Sequence, residues 1–109
     1  MSKEAALKQK EDPHYTGHRQ RLRERFINNG AAALADYELL EMILYSASPR
    51  MDTKPMAKKL LAHFGGFAAV VHATPVELSR VEDIGEGSIA AVKTIHASME
   101  RALKDEASQ

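Results

Sequence analysis

The stretch Leu78-Ser79-Arg80-Val81-Glu82-Asp83-Ile84-Gly85-Glu86-Gly87-Ser88-Ile89-Ala90-Ala91-Val92 decides the fold of this 109-residue chain. It reads as a short helix, a tight loop of the form Ile-Gly-x-Gly, and a second helix with small residues in its first turns. Ile84 is placed to plug the apolar gap between the two helices, and the glycines permit backbone angles closed to other residues. Amides at the start of the second helix have no helical partner and point outward, where they can take a phosphate oxygen. Ala90 and Ala91 are small enough to let the two helices approach closely. Upstream, Ala57 to His72 repeats the plan around Phe64-Gly65-Gly66-Phe67. Between the two units, Thr74-Pro75-Val76-Glu77 combines an N-cap threonine, a proline at the first helical position and a glutamate three residues after the cap.

The rest of the chain continues the helical pattern. A first helix is expected over Gly17 to Asn29, closed by Gly30 as its C-cap. A second starts from Asp36 as N-cap, carries Leu39, Leu40, Met42, Ile43 and Leu44, and is ended by Ser48-Pro49. A third begins near Asp52-Thr53, with Pro55 in its first turn and Met56, Leu60 and Leu61 facing inward. A short fourth helix covers Phe67 to about His72, and a fifth ends near Val81. The last runs from about Ser88 to Leu103, with an inward stripe of Ile89, Val92, His96, Met99 and Leu103. No segment alternates apolar and polar residues as a half-buried strand would. The expectation is an all-α domain of five to six short helices over residues 14–104. Its C-terminal part, about residues 55–96, is a double helical hairpin, and mobile tails are expected at 1–13 and 105–109.

Fifteen Lys and Arg balance fifteen Asp and Glu, so the formal net charge is zero. With no cysteine, neither a disulfide framework nor a thiolate metal site is possible. The apolar runs fall far short of the ~20 residues that cross a bilayer. The opening MSKEAALKQKEDP lacks the apolar core of a signal peptide, so a cytoplasmic location and no membrane contact are expected. The neutrality is a cancellation of blocks. Four arginines against Glu24 leave +3 over residues 13–30, and three lysines against Asp52 leave +2 over 52–65. Residues 31–51 carry −2, from Asp36, Glu38 and Glu41 against Arg50. Across the hairpin, residues 66–86, Arg80 against Glu77, Glu82, Asp83 and Glu86 leaves −3.

On a helix, Arg19 and Arg23 form one column and Arg21 and Arg25 another, flanking a Leu22/Phe26 stripe. Two accounts of these arginines stand side by side. In one, they pair with Asp36, Glu38 or Glu41 while their stems cover apolar surface. In the other, the Arg19/Arg23 column joins Lys54, Lys58 and Lys59 in a basic surface. His14 and His18 are four apart but have no third ligand nearby, His63 and His72 are isolated, and His96 sits on an apolar stripe. No metal site is therefore expected. The chain has no His-Glu-x-x-His, no Walker-type phosphate loop and no nucleophile–base pairing, so neither catalysis nor a cofactor is expected.

The hairpins resemble helix-hairpin-helix motifs, which can place two amide clusters across a DNA minor groove. The usual DNA-binding form has Gly-Ile-Gly in the loop, and Asp83 stands here at the first glycine. Three further segments extend the likeness: Gly17-His18-Arg19-x-Arg21-Leu22-Arg23-Glu24-Arg25-Phe26, Asp36-x-Glu38-Leu39-Leu40-Glu41, and Pro49-Arg50-x-Asp52-Thr53-Lys54-Pro55. Together they resemble the amino-terminal, UPF0758-type domain of the RadC family over about residues 14 to 104. Members of that family normally continue into a JAB1/MPN-like metalloprotease domain with a zinc site. No such stretch occurs in these residues, so no hydrolase activity is expected of them. The resemblance implies a non-catalytic, sequence-independent DNA-binding or targeting module with links to DNA repair or recombination. Ile84, Gly85, Gly87 and Ser88 would form the contact, assisted by Lys93, Arg19, Arg23, Lys54, Lys58 and Lys59. It also implies a separate metalloprotease-like or repair protein as partner. The alternative is a protein-interaction or scaffolding domain that keeps the fold without binding DNA, favoured by zero net charge and by the acids bordering the hairpin.

Overall fold

The computed structural model describes residues 14–108, and the tail expected over 1–13 lies outside them. Among the described residues there are six α-helices and no strand. The chain divides into two compact units, residues 1–34 and 35–109.

In the first unit, α1 spans His14–Asn29, beginning ahead of the expected Gly17. Gly30 ends it in the left-handed region at φ 81°, donating its N–H to the Phe26 carbonyl at 2.8 Å. That conformation favours glycine. A single 3-10 turn over Ala31–Ala33 follows, an element with no signal in the sequence beyond its run of alanines. Leu22 is buried, as the stripe requires.

The second unit holds the remaining helices: α2 (Asp36–Leu44), α3 (Lys54–Phe64), α4 (Phe67–His72), α5 (Pro75–Ser79) and α6 (Glu86–Ala107). Asp36 is the first helical residue of α2 and not its cap. The cap is Ala35, whose N–H donates to the Glu38 carboxylate at 2.9 Å. The helix leaves off at Leu44, earlier than Ser48-Pro49, and the chain passes through tight turns in which Ser48 N–H still reaches the Leu44 carbonyl. At α3 the cap position falls to Thr53, yet the side chain that satisfies the first turn is Asp52, accepting the Lys54 amide at 3.1 Å. Gly65 closes α3 at φ 93°. The box at α5 is complete: Thr74 Oγ1 accepts the Glu77 amide at 3.1 Å, and Glu77 accepts the Thr74 amide at 3.0 Å.

The two hairpins, α3–α4 and α5–α6, share one core with α2. Leu40, Leu44, Leu60, Val70, Leu78 and Val92 are fully or almost fully buried. Each such side chain contributes about 1.5–3 kcal/mol relative to exposure. Helix α6 packs on α2, α4 and α5, and α3 packs on α2 and α4. Two sequence expectations fail at α6. It runs on to Ala107, so 105–107 are helical and not tail. Met99 and Leu103 are 46% and 66% exposed, because the helix outruns the core that was to cover its stripe.

Candidate binding surface at the second hairpin

The loop between α5 and α6 is set by one left-handed residue. Asp83 has φ 69°, the only non-glycine with positive φ among the described residues. Asp and Asn tolerate this region better than other side chains because their short polar groups hydrogen-bond locally. The glycine usual at this position thus answers a backbone demand that persists here with an aspartate. Next to it, Ile84 is half-buried and packs against the core, the plug expected of it.

The two loop glycines do different things. Gly85 has an ordinary extended backbone, and a Cβ built there meets nothing within 4 Å, so the backbone is open to approach. A Cβ on Gly87 would sit 3.4 Å from the Ala47 Cβ. Gly87 therefore gives room to the connection between α2 and α3. Ile89 N–H donates to the Gly85 carbonyl at 3.1 Å, the first bond of α6. The amides of Glu86, Gly87 and Ser88 have no helical carbonyl four residues before them and carry the helix's positive end. Gly85, Glu86 and Gly87 are exposed, whereas Ser88 is buried.

The cations divide. Lys59 reaches the loop, with Nζ 3.5 Å from Asp83 Oδ2 and donating to the Glu82 carbonyl at 3.3 Å. Both partners of this ion pair are substantially exposed, so it contributes at most about 1 kcal/mol while still neutralising the lysine. Lys54 and Lys58 lie at the Tyr37 ring, 5.7 and 5.0 Å from its centroid. Lys93 turns inward. Its ammonium donates to the Val71 and Ala73 carbonyls at 3.1 and 2.8 Å, at the C-terminal end of α4. It also lies 2.9 Å from His96 Nδ1, which must accept, placing the neutral ring's proton on Nε2 facing Glu100 at 3.6 Å. The signal for this role was weak: a lysine three residues before a histidine on a half-buried face.

In the first unit, Arg19 is 8% exposed while Arg23 is exposed, so the column has one buried and one solvated member. The Arg21 guanidinium folds back over Gly17, where a Cβ would meet it at 3.0 Å. Among the described residues no three or more His, Asp or Glu side chains group to hold a metal. No helix among them is long and apolar enough to cross a membrane.

The helical order, the Gly30 and Gly65 stops and the Asp83-Ile84-Gly85 loop coincide with a match of residues 15–90 to the family model described as UPF0758 N-terminal. The chain belongs to the UPF0758 N-terminal family. This UPF0758 domain is 50% identical over 84 residues to a UPF0758 protein of Ruegeria pomeroyi, covering 77% of the chain and 38% of the relative. It is 48% identical over 80 residues to a UPF0758 protein of Rhodobacter capsulatus, covering 73% of the chain and 37% of the relative. The UPF0758 domain thus spans less than two-fifths of the length of these relatives. No solved structure matches it.

Proposed function

We propose that this UPF0758 domain is a non-catalytic docking module whose second hairpin engages a basic protein partner. One observation carries the reading: the hairpin presents Glu82 and Glu86 to solvent beside an Asp83–Lys59 pair whose charges cancel, while Lys93 is spent on α4 carbonyls. A surface of this sign attracts cationic segments and repels a phosphodiester within a Debye length. A metalloprotease-like or repair protein with a basic contact surface fits this role.

A second reading is favoured by a different observation. The open backbone at Gly85 and the amides that start α6 form a phosphate-accepting end, and Lys54 and Lys58 are exposed on α3. On this reading the domain binds DNA without sequence preference, in a setting such as repair or recombination.

Fluorescence anisotropy separates the two. A labelled oligo-arginine/lysine peptide and a labelled random duplex are titrated at about 50 and about 200 mM salt. Docking predicts peptide binding that weakens with salt and is lost in Glu82→Lys/Glu86→Lys, with no duplex binding at the lower salt. Duplex binding without peptide binding would establish the second reading instead.

A further inference from the structure

Helix α3 has a basic flank turned toward α2 and a second flank that meets the acidic hairpin. At about 100° per residue, Lys54 and Lys58 share the first flank and Lys59 lies on the second, with exposed Pro55 and Ala62 between them. Lys54 and Lys58 are exposed and sit over the Tyr37 ring, and among the described residues neither ammonium has a carboxylate within ion-pair distance. This pairing is locally unfavourable. Like charges four apart on a helix repel, and Lys54 opens α3, where the dipole is positive and the first turn holds no acid. Asp52, just ahead of the helix, accepts the Lys54 backbone amide. The Tyr37 ring offsets part of the repulsion through its electron-rich face.

On the second flank, the Lys59 ammonium is taken by Asp83 and the Glu82 carbonyl. Beyond that neutral pair, Glu82 and Glu86 are exposed, and among the described residues their carboxylates have no cation within ion-pair distance. Two unpaired cations and two unpaired anions therefore border one face, kept apart by the width of α3.

Such a face is complementary to itself. A two-fold axis parallel to α3 exchanges its flanks, so the lysine pair of each copy meets the glutamates of the other. The small side chains of Pro55 and Ala62 between the flanks let two α3 helices lie close. A net charge of zero leaves no overall repulsion between copies.

Resting on the docking reading, we propose that the basic surface engaged by the hairpin is the Lys54/Lys58 patch of a second copy of this chain. Each contact occurs twice, and the two-fold axis closes the assembly at a dimer. Exposed ion pairs are individually weak, so the dimer forms at high micromolar to millimolar concentration and dissolves with salt.

Sedimentation velocity of the whole chain tests this, over a concentration series at about 50 and about 500 mM salt. The parent is expected to dimerise at the lower salt and to lose about tenfold or more in affinity at the higher. Lys54→Glu/Lys58→Glu makes both patches acidic, and Glu82→Lys/Glu86→Lys makes both basic. Each variant alone should stay monomeric. An equimolar mixture of the two should dimerise, as should the chain carrying all four substitutions. Recovery in the mixture also shows that both variants are folded. A parent that stays monomeric at millimolar concentration and low salt, or a dimer that survives in either variant, would overturn the assignment. So would a mixture that fails to dimerise although both variants keep the parent's circular dichroism. Association that persists at the higher salt would place the contact on an apolar surface such as Met99 and Leu103, and overturns it equally. If the polybasic peptide binds a monomeric parent and is lost in Glu82→Lys/Glu86→Lys, the docking reading stands and the second copy falls. If neither peptide nor copy binds, both fall. Duplex binding that is lost in Lys54→Glu/Lys58→Glu, with no dimer, would give the lysines to a phosphodiester and overturn the assignment.

Discussion

At the scale of single residues, the backbone at Asp83 is the most constrained point of the hairpin. A left-handed conformation is unfavourable for side chains in general by roughly 1–2 kcal/mol, less for aspartate. Asp83→Gly should therefore stabilise the domain by about 0.5–1 kcal/mol in urea unfolding, since the exposed Lys59 pair that it removes is worth little. Thr74 supplies the opposite case. Its hydroxyl caps α5, so Thr74→Ala should cost about 1 kcal/mol. The hydrogen bonds from the Thr74 amide and hydroxyl hold the Glu77 carboxyl below the usual glutamate range. A depressed carboxyl adds stability above its unfolded pKa and loses it as pH falls through the folded value. The stability gap between the parent and Glu77→Gln should accordingly be full at neutral pH and close on acidification, which unfolding curves across the acid range will show. Glycine and capping positions were readable in the sequence because each depends on neighbours within a few residues. Asp83 was readable as a departure from the glycine pattern, and only the structure shows that the position keeps the glycine's backbone.

At the scale of elements, α4 is the informative helix. Six residues are too few to hold a helix in water without tertiary support. Part of that support is the Lys93 ammonium on the Val71 and Ala73 carbonyls. Lys93→Met should destabilise the domain by about 1–3 kcal/mol and speed amide exchange selectively in α4. The contrast between Leu60 and Leu103 tests the reach of the core. Leu60→Ala should cost about 2–5 kcal/mol, whereas Leu103→Ala should stay within about 0.5 kcal/mol. Helix starts and stops marked by Thr74, Gly30 and Gly65 were legible. The far end of α6 was not, because Arg101, Ala102, Leu103 and Lys104 are strong helix formers that carry the helix past its packing partners. The inward bonds of Lys93 join residues twenty and twenty-two apart, a separation that local periodicity does not encode.

For the molecule as a whole, a net charge of zero says less than its distribution. The acid block on residues 66–86 falls on the hairpin loop, where Lys59 is the cation that α3 brings to it. The family and the all-α architecture were legible because glycines, caps and apolar spacing agree with one another along the chain. The surface was legible only as two alternatives, since the sign of a binding face depends on which lysines turn inward. One contact carries a further consequence. At Gly87 the hairpin and the α2–α3 connection stand one methyl group apart. Position 87 is therefore a spacer that fixes the aperture between them. An alanine there would press on Ala47 and wedge the connection outward by a few tenths of an ångström, and Ala47→Gly would take up the slack. Paired, the two substitutions make a gauge: any ligand whose affinity falls with the first and recovers with the second is one that the domain selects by width.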